Sequence, residues 1–447
     1  MELNYLKSRF RDIWFLQVSR IFSVGLFLVA SVLVFLGIKD RSVKYLLMSI
    51  RYCYYGPSQK LLYKKFRSFD YTKLLSSPAS RKDAVGRAII LSAPYTDESG
   101  VFQKGVMLLT FSHTFSYFLR HEKWSTLNKY FAFVLEPSWA GYADPDILAF
   151  CQNAGHCVIQ ASEIKDRILI NTMFPEVPCV DTGASNWIDD QFFAGSDVNS
   201  GKKKEYDAIY VANLNPIKRV FRAIDAVKEA KKKNKNIKVV VVCAGWGSGN
   251  IDALRKHISH RGVDENLILL EGMSQDRLIE LVLRSKCSFL LSFKEGSNRV
   301  LFESMFLNVP VVCVSENIGV NKSYINAETG LLIPDSLVHN AMCFMSENYA
   351  RFSPREWALK NISPEKTTKD LSGVLRARYR FEVNYRLSVK VNSPEVRYRR
   401  IDLSEFDFLE MLLDAKNEAE FADCCRLIYK KMELNGVGSQ IDREDDE

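Results

Sequence analysis

The sequence predicts an α/β protein built around a parallel, doubly wound sheet. Between residues 206 and 314, apolar runs of strand length alternate with segments of helix length. The run Val239–Ala244 is apolar at every position, which is typical of a strand covered on both faces by helices. Repeated strand–helix units of this kind indicate a doubly wound sheet. A charge-free stretch, Ile21–Ile38, adds a hydrophobic helical extension before this part of the chain.

The length of 447 residues is sufficient for two or three domains. Polar stretches at residues 76–83 and 194–205 are typical of linkers, and the second of them contains three consecutive lysines. We expect a membrane-anchor and basic helical extension at 1–75, a first Rossmann-like domain at 84–195, a second one at 205–350, a C-terminal helical segment at 351–435 and a disordered tail at 436–447.

Composition narrows the class of partner. The formal net charge is +8 and is spread along the chain, which suits anionic lipids or phosphate-bearing substrates. No aromatic-rich basic repeat accompanies it, so nucleic acid is not expected as a partner. The ten cysteines show no CxxC spacing and stand mostly in apolar runs, which indicates reduced, buried thiols of a cytosolic protein. The six histidines have no metal-ligand spacing, so no bound metal is expected.

The stretch Ile21–Ile38 predicts a membrane anchor, because its eighteen uncharged residues reach the lower length limit of a membrane span. No small-residue cleavage site follows it, which disfavours a signal peptide. Two alternatives stay open: a helix buried in the soluble fold, and a helix lying in the membrane interface that continues through Tyr45–Tyr55. Basic residues are denser after the stretch than before it, which predicts that the part of the chain after the stretch lies in the cytosol.

The first Rossmann-like domain shows a weaker pattern. Its expected elements are strands at Arg87–Ser92, Tyr130–Leu135 and Cys157–Gln160, a last strand and loop at Val180–Ile188, and a helix at Val106–Leu119. The strand at Tyr130–Leu135 leads into Glu136 and Trp139, which place a carboxylate and an indole at a strand end. This pair either faces an acceptor or forms a polar turn packed by the indole.

The second Rossmann-like domain has a regular alternation. Its expected strands are Tyr206–Ala212, Val239–Ala244, Leu267–Leu270, Cys287–Phe293 and Val309–Val314, and its expected helices are Pro216–Lys231, Ile251–His260, Ser274–Arg284 and Asn298–Leu307. Further helices are expected at Val338–Tyr349 and Leu403–Met432.

The stretch Phe293–Pro310 carries the strongest functional signal. A strand, a tight polar turn and a helix follow one another there, so the helix N-terminus points its backbone N–H groups toward the carboxyl edge of the sheet. Ligands of open α/β sheets bind at that edge, and an anionic ligand is favoured. Two carboxylates, Glu295 and Glu303, mark the stretch. Sugar hydroxyls would donate hydrogen bonds to such carboxylates beside a phosphate group.

The motifs Glu295-Gly296, Phe302-Glu303-Ser304-Met305 and Val309-Pro310-Val311-Val312 resemble the donor-site signature of retaining glycosyltransferases of family 4. The resemblance implies the GT-B fold, in which two Rossmann-like domains face a cleft. It also implies a nucleotide-sugar donor. In this family the first glutamate and the turn amides hold the donor sugar, which implies that role for Glu295, Gly296, Ser297 and Asn298. The second glutamate holds the ribose, which implies that role for Glu303.

The turn Asn213–Lys218 resembles the turn at which the family binds the donor diphosphate with an arginine and a lysine. Lys218 matches the lysine, whereas Asn213 replaces the arginine with an uncharged amide. Part of the stabilisation of the leaving diphosphate must then come from another cation. Arg219 and Arg299 are the candidates, and the alternative for Arg299 is that it points into solvent.

Weaker resemblances extend the pattern. Gly245–Gly249 resembles a glycine turn of the family, and Gly272-Met273 resembles the pair at which backbone groups hold the nucleotide base. In the first domain the usual glycine pair is missing, and the nearest substitutes are Gly100 and Lys104-Gly105.

The resemblance implies a glycosyltransferase that moves a sugar, with retention, from a nucleotide-diphosphate-sugar to an acceptor. The apolar stretch and the basic N-terminus add the expectation that it is membrane-associated and that the acceptor is a glycan or is lipid-linked. Glu295, Lys218 and Arg299 would be its catalytic residues, and it would need neither a metal nor another cofactor. The alternatives are a non-catalytic scaffold that binds nucleotide-sugars, and an epimerase or phosphorylase of the same fold.

Overall fold

The computed structural model describes residues 3–52, 57–136, 141–161, 163–190, 192–194, 203–244, 247, 249–296, 298–379 and 405–434. The chain divides into two compact units. We call the one made of residues 1–21 and 188–363 the donor unit, and the one made of residues 22–187 and 364–447 the partner unit. The expected disordered tail at 436–447 lies outside the described residues.

The α-helices are α1 Leu3–Ile13, α2 Ser19–Phe35, α3 Lys39–Tyr52, α4 Pro57–Phe66, α5 Arg81–Val85, α6 Ser112–Arg120, α7 Trp124–Tyr130, α8 Pro145–Asn153, α9 Ile164–Met173, α10 Val220–Lys231, α11 Ile251–Arg261, α12 Gln275–Leu283, α13 Arg299–Phe306, α14 Val338–Asn348, α15 Pro354–Ile362, α16 Pro364–Tyr379, α17 Glu405–Asp414 and α18 Glu418–Leu434. A π-helical turn, Trp14–Val18, joins α1 to α2 without a break.

The strands are β1 Ala88–Ser92, β2 Tyr95–Thr96, β3 Phe102–Gln103, β4 Gly105–Thr110, β5 Phe131–Glu136, β6 Cys157–Gln160, β7 Cys179–Val180, β8 Ala208–Asn213, β9 Val239–Ala244, β10 Leu267–Glu271, β11 Ser288–Leu290, β12 Val311–Val314 and β13 Gly330–Ile333. They form one five-stranded sheet, one six-stranded sheet and the small hairpin of β2 and β3.

The six-stranded sheet of the donor unit confirms the doubly wound prediction. Its strand order is β10-β9-β8-β11-β12-β13, and every pairing is parallel. In chain order, β8 comes first and lies in the middle of the sheet. β9 and β10 are added on one side of it, and β11, β12 and β13 on the other. The strand order therefore reverses between β8 and β11, which is the point where ligands bind in sheets of this topology.

Helices cover both faces of this sheet, because consecutive side chains of a strand point to opposite faces. Along β9, Val239 and Val241 pack in a cluster with α10, α11 and α14. The alternate residues Val240 and Val242 pack in a second cluster with α12, α13 and α15. The fully apolar sequence of β9 follows from this two-sided burial.

The N-terminal helix α1 belongs to the donor unit. The Tyr5 hydroxyl donates a hydrogen bond to Asp225 at 3.1 Å, and the Phe15 ring stacks on Phe293 with 4.9 Å between the ring centroids. Residues from Phe22 onward belong to the partner unit. The N-terminal extension is therefore shared between the two units.

The partner unit contains the five-stranded sheet, in the order β1-β4-β5-β6-β7. Strands β4 to β7 are parallel, and β1 is antiparallel to β4. The predicted helix at Val106–Leu119 is wrong in its first half, because Gly105–Thr110 forms β4 and α6 begins only at Ser112. A short, fully apolar run does not distinguish a buried strand from a buried helix, and here pairing with β1 and β5 decides.

Helices complete the partner unit. α2 and α3 pack side by side, and their buried residues join one apolar cluster with α17 and α18. The predicted single helix at Leu403–Met432 is in fact α17 and α18, which end and begin on either side of Ala415, Lys416 and Asn417. The Tyr379 hydroxyl at the end of α16 donates a hydrogen bond to the Cys157 carbonyl oxygen at 2.6 Å.

Candidate functional site

The candidate site lies at the reversal point of the donor sheet. β8 and β11 are parallel neighbours, so their carboxyl ends meet at one edge. Lys218 follows β8 and Glu295 follows β11. Two residues that are 77 positions apart in the sequence are thereby placed together where this topology binds ligands.

Lys218 and Glu295 form a nearly buried ion pair. The Lys218 Nζ lies 2.7 Å from each carboxylate oxygen of Glu295. The exposed fractions of the two side chains are 18% and 9%. The hydroxyl of Ser292 also donates a hydrogen bond to Glu295. The pair provides a cation and a hydrogen-bond acceptor at one point, with little water around them.

The Glu295 turn is held by the segment 317–319. The Glu295 N–H donates to the Ile318 carbonyl oxygen at 2.8 Å, and the Asn317 amide donates to the Ser292 carbonyl oxygen at 2.8 Å. Gly319 has φ +111°, and a Cβ there would lie 1.8 Å from the Glu295 carbonyl oxygen. Sequence reasoning did not include Ser292 or this segment in the site. The signal in the sequence was that small polar residues, Ser292 and Asn317, follow the adjacent strands β11 and β12.

The turn before Lys218 is built from asparagines. The Asn213 side-chain oxygen accepts a hydrogen bond from the Asn215 N–H at 2.9 Å, and the Asn215 side-chain oxygen accepts one from the Ile217 N–H at 3.2 Å. A Cβ at Gly249 would lie 2.2 Å from the Leu214 carbonyl oxygen, so the glycine turn packs directly against this backbone. Asn213 thus shapes the turn and brings no charge to it. Gly245 lies outside the described residues.

Glu303 and Arg299 lie one helical turn apart on α13. The Arg299 Nη2 is 3.1 Å from a Glu303 carboxylate oxygen, and Glu303 is almost fully buried. Burial raises the pKa of Glu303 above its ordinary value, and the charge of Arg299 opposes this rise. The structure therefore places Arg299 beside the carboxylate that was predicted to hold the ribose.

The beginning of α13 follows the Glu295 turn directly. The Asn298 side-chain oxygen accepts a hydrogen bond from the Leu301 N–H at 3.0 Å, which caps the helix. Gly296 lies between this cap and Glu295, whereas Ser297 lies outside the described residues. The helix N-terminus is thus adjacent to the ion pair, and its partial positive charge favours an anion there.

Arg219 is buried inside the donor unit. Its exposed fraction is 2%, and its guanidinium donates to the Asp12 and Asp335 carboxylates, each at 2.8 Å. The ring of Phe293 covers the guanidinium, with 3.5 Å between the ring centroid and the central carbon. The charge of Arg219 is thus paired inside the donor unit, and its predicted contact with a diphosphate stays a prediction. Arg219 supports the turn that carries Lys218.

Met273 and its neighbour lie at the carboxyl end of β10. The Gly272 N–H donates to the Cys243 carbonyl oxygen at 2.9 Å, and Met273 packs partly buried against the cluster that contains α12. No contact joins Met273 to the ion pair among the described residues. Its predicted role beside a nucleotide base stays a prediction.

The residues singled out in the partner unit are engaged within that unit. Glu136 ends β5 and accepts a hydrogen bond from Gln160 at 3.4 Å. The Lys104 Nζ donates to the Asn128 carbonyl oxygen at 2.8 Å, and burial lowers the pKa of Lys104. Trp139 lies outside the described residues, so its predicted role facing the acceptor stays a prediction.

Comparison with known protein families finds one match, which lies within the donor unit. Residues 195–342, about a third of the chain, match the family model of glycosyl transferases group 1. This stretch contains every residue predicted for the donor site. None of the curated proteins compared with the sequence is significantly similar to it.

Solved structures share the fold at low sequence identity. TarM superposes with a TM-score of 0.50 at 14% identity, over 61% of this chain and 54% of TarM. The pneumococcal O-GlcNAc transferase GtfA, solved with UDP and GlcNAc, gives 0.42 at 14% identity over 64% of this chain and 66% of GtfA. Anabaena HepE, solved with UDP and glucose, gives 0.44 at 13% identity over 60% of this chain and 78% of HepE. The chain spans about half the length of TarM. The likeness shows the fold, which is GT-B with an apolar N-terminal helix.

Proposed function

We propose that the protein is a glycosyltransferase that moves a sugar from a nucleotide-diphosphate-sugar to an acceptor hydroxyl with retention of configuration. The observation that carries the proposal is the Lys218–Glu295 pair at the reversal point of the donor sheet, 2.7 Å apart and nearly buried. This pair lies in the stretch that matches glycosyl transferases group 1. A cation and a carboxylate at one point suit a ligand that carries a diphosphate next to sugar hydroxyls.

The ion pair explains how the donor would be received. As the donor enters, the Lys218 Nζ exchanges Glu295 for the diphosphate oxygens, and Glu295 accepts hydrogen bonds from the sugar hydroxyls. The bond between the anomeric carbon and the diphosphate oxygen then breaks, and the electron pair leaves with the diphosphate. Lys218 and the α13 N-terminus stabilise the charge that develops there. The acceptor oxygen forms the new bond on the same face and passes its proton to the departing diphosphate oxygen. Since the positive charge comes from the protein, the proposed reaction needs no bound metal.

We further propose that the acceptor is a glycan or a lipid-linked saccharide at a membrane, with the catalytic units in the cytosol. Within the described residues, the helix Leu3–Phe35 is long and apolar enough to cross a membrane, with a mean hydropathy of 2.2 in its most apolar window. The net charge of +8 favours an anionic membrane surface. These features support a membrane-proximal acceptor.

One observation favours a second candidate, a scaffold that binds nucleotide-sugars without turnover. Asn213 stands where the resembled family has an arginine, and its side-chain oxygen is used to form the turn. Arg219, the nearest other cation in the sequence, is committed to Asp12 and Asp335. The leaving diphosphate then has one cation fewer at this turn, which would slow or abolish transfer.

Turnover of a donor panel separates the two candidates. UDP-, GDP- and dTDP-sugars are incubated with the full-length protein in detergent, and release of the nucleoside diphosphate is measured with and without added glycan acceptors. The enzyme releases nucleoside diphosphate from one donor, and Glu295→Ala abolishes the release. The scaffold binds a donor in calorimetry and releases nothing under any acceptor condition. Absence of binding to every donor would remove the site assignment.

Glu303→Gln is expected to lower the affinity for the nucleoside diphosphate without lowering the stability of the fold. Because burial raises the pKa of Glu303, its ionised form is less favourable in the folded than in the unfolded chain. The stability that this residue contributes is present at low pH and is lost as the pH rises through the raised folded-state pKa. The uncharged glutamine avoids this loss, so the melting temperature at neutral pH should stay equal or increase. Affinity for the nucleoside diphosphate should fall about 10- to 100-fold, because a charge-assisted hydrogen bond is lost.

A pH series supplies the check. The wild-type affinity should decline with falling pH as Glu303 becomes protonated, at a higher pH than for an ordinary glutamate, whereas the affinity of Glu303→Gln should not follow this step. Glu280→Gln, an exposed glutamate on α12, is the matched control and should leave affinity and melting temperature unchanged. An unaltered nucleotide affinity in Glu303→Gln would contradict the ribose-binding role.

A further inference from the structure

The N-terminal helix has one face without a partner. Within α1, and again within α2, a row of exposed apolar residues recurs every three or four positions, which places it along one side of each helix. The row consists of Leu3, Leu6, Phe10, Ile13, Ile21, Val24, Leu28, Val32 and Phe35, and Phe22 and Val29 are exposed apolar residues beside it. The exposed fractions of Ile21 and Phe35 are 73% and 90%. We call this row the apolar stripe. An exposed apolar surface of this extent marks an interaction site.

The opposite face of α2 is packed against α3. The Ser49 hydroxyl donates to the Ser23 carbonyl oxygen at 2.9 Å, and the Ser42 hydroxyl donates to the Ala30 carbonyl oxygen at 2.7 Å. α3 also joins the soluble fold, because Arg51 Nε donates to the Ala143 carbonyl oxygen at 2.7 Å. Because α2 is packed against α3, inserting α2 into the hydrocarbon core of a bilayer would also insert the lysine and arginine side chains of α3.

Both flanks of the apolar segment dock on folded protein. On its N-terminal side, Asp12 pairs with the buried Arg219 at 2.8 Å and Phe15 stacks on Phe293. On its C-terminal side, α3 runs back along α2. Among the described residues, no other helix is long and apolar enough to cross a membrane. Since the described residues between 39 and 363 contain no helix of this kind, the two docked flanks favour both ends of the helix lying on the same side of a membrane.

Basic residues border the stripe. Arg20 precedes the uncharged segment, and Lys39, Arg41 and Lys44 follow it, all with exposed side chains. Within helices α1 to α3 the acidic residues that the structure describes are Asp12, which is buried, and Asp40. A cationic border around an apolar face complements the surface of a bilayer that contains anionic lipids.

We propose that the helix Leu3–Phe35 lies in the surface of an anionic membrane, with the apolar stripe buried in the headgroup region, and does not cross the bilayer. This inference rests on the membrane association proposed above and replaces the expected anchor with an interfacial one. It does not depend on the reaction, since a lipid surface is its ligand. The protein would then reach its acceptor from one side and leave the membrane reversibly.

Vesicle flotation tests the surface. Full-length protein is mixed with vesicles of phosphatidylcholine alone, or of phosphatidylcholine with phosphatidylglycerol, without any donor. Binding to the anionic vesicles should weaken with salt and fall about ten-fold or more in Leu28→Glu/Val32→Glu, because two stripe residues become charged. Ile268→Glu, which changes an exposed apolar residue of β10, is the matched control and should bind like the wild type. Equal binding by the stripe variant and the wild type would overturn the proposal.

Labelling of both helix ends tests the topology. Asn4→Cys and Asp40→Cys are compared with the wild type, using a membrane-impermeant maleimide on sealed inverted and right-side-out vesicles from the producing cells. The surface orientation predicts that both sites are labelled in the same vesicle type. Labelling of one site in each type would show a spanning helix and would refute the inference. Donor turnover in detergent is measured in parallel, so that failure of membrane binding is distinguished from failure of the reaction.

Discussion

Lys218→Ala is expected to lower the rate of nucleoside diphosphate release by about 10²- to 10³-fold, the usual cost of removing one preorganised charge stabiliser. The reason is positional, because the Lys218 Nζ lies at the carboxyl end of β8, where the strand order reverses. Arg219 cannot take its place, since its guanidinium is held by Asp12 and Asp335. Release is measured with the donor identified in the panel, at a saturating concentration, so that the loss is seen in kcat.

A loss of folding must be separated from this loss of rate. Lys218→Ala leaves the Glu295 carboxylate without its cation, so Lys218→Ala/Glu295→Gln removes both charges and should recover stability without recovering turnover. Lys256→Ala, which changes an exposed lysine of α11, is the matched control and should turn over at the wild-type rate. If Lys218→Ala released nucleotide at nearly the wild-type rate, Lys218 would not stabilise the leaving group.

Arg219→Met is expected to destabilise the donor unit by about 3–5 kcal/mol, because it removes the buried cation that two buried carboxylates share and leaves each of them with one partner fewer. The Asp12 and Asp335 carboxylates both accept hydrogen bonds from this guanidinium. The arrangement holds the pKa of Asp335 below its ordinary value, although burial by itself would raise it. Arg219→Lys should recover only part of the stability, since an ammonium lacks the planar fork that reaches both carboxylates.

Native-state hydrogen exchange measures this effect within the donor unit. Amides of β8 and β11 should exchange faster in Arg219→Met by a factor that corresponds to the lost stability, whereas strands of the partner unit should be little affected. Asp12→Ala should act in the same direction, because it removes one of the two carboxylates. Arg255→Met, on an exposed arginine, is the control and should change stability by less than about 0.5 kcal/mol. Unchanged protection of β8 in Arg219→Met would show that the network contributes nothing to the unit.

Much of the donor unit could be predicted from local sequence. β9 was expected at Val239–Ala244 and is observed there, and α11, β10 and α13 differ from expectation by one or two residues at their ends. β9 is covered on both faces, and polar turns separate all four elements, so their apolar runs have clear limits. The resemblance to a donor site assigned Lys218 and Glu295 to one ligand, and the structure adds that they form an ion pair.

The partner unit was harder to predict for a physical reason. β4 and α6 follow one another within the residues expected as a single helix, and only pairing of β4 with β1 and β5 separates them. A one-residue step between a buried strand and a helix leaves no gap in the apolar pattern. The break between α17 and α18 was missed in the same way, since polar residues also occur within exposed helix faces.

The amino-acid sequence was sufficient to predict the parallel donor sheet, the turns after its strands that carry Lys218 and Glu295, the helix that carries Glu303, and the apolar N-terminal helix. These depend on local periodicity and on the rule that parallel strands end together. The tertiary structure was needed to show that Arg219 is a buried ion-pair residue, because its partner Asp12 lies 207 positions earlier in the chain. It also decided which face of the N-terminal helix remains exposed. Burial and charge pairing depend on which segments of the chain come into contact after folding, and local sequence patterns do not indicate these long-range contacts.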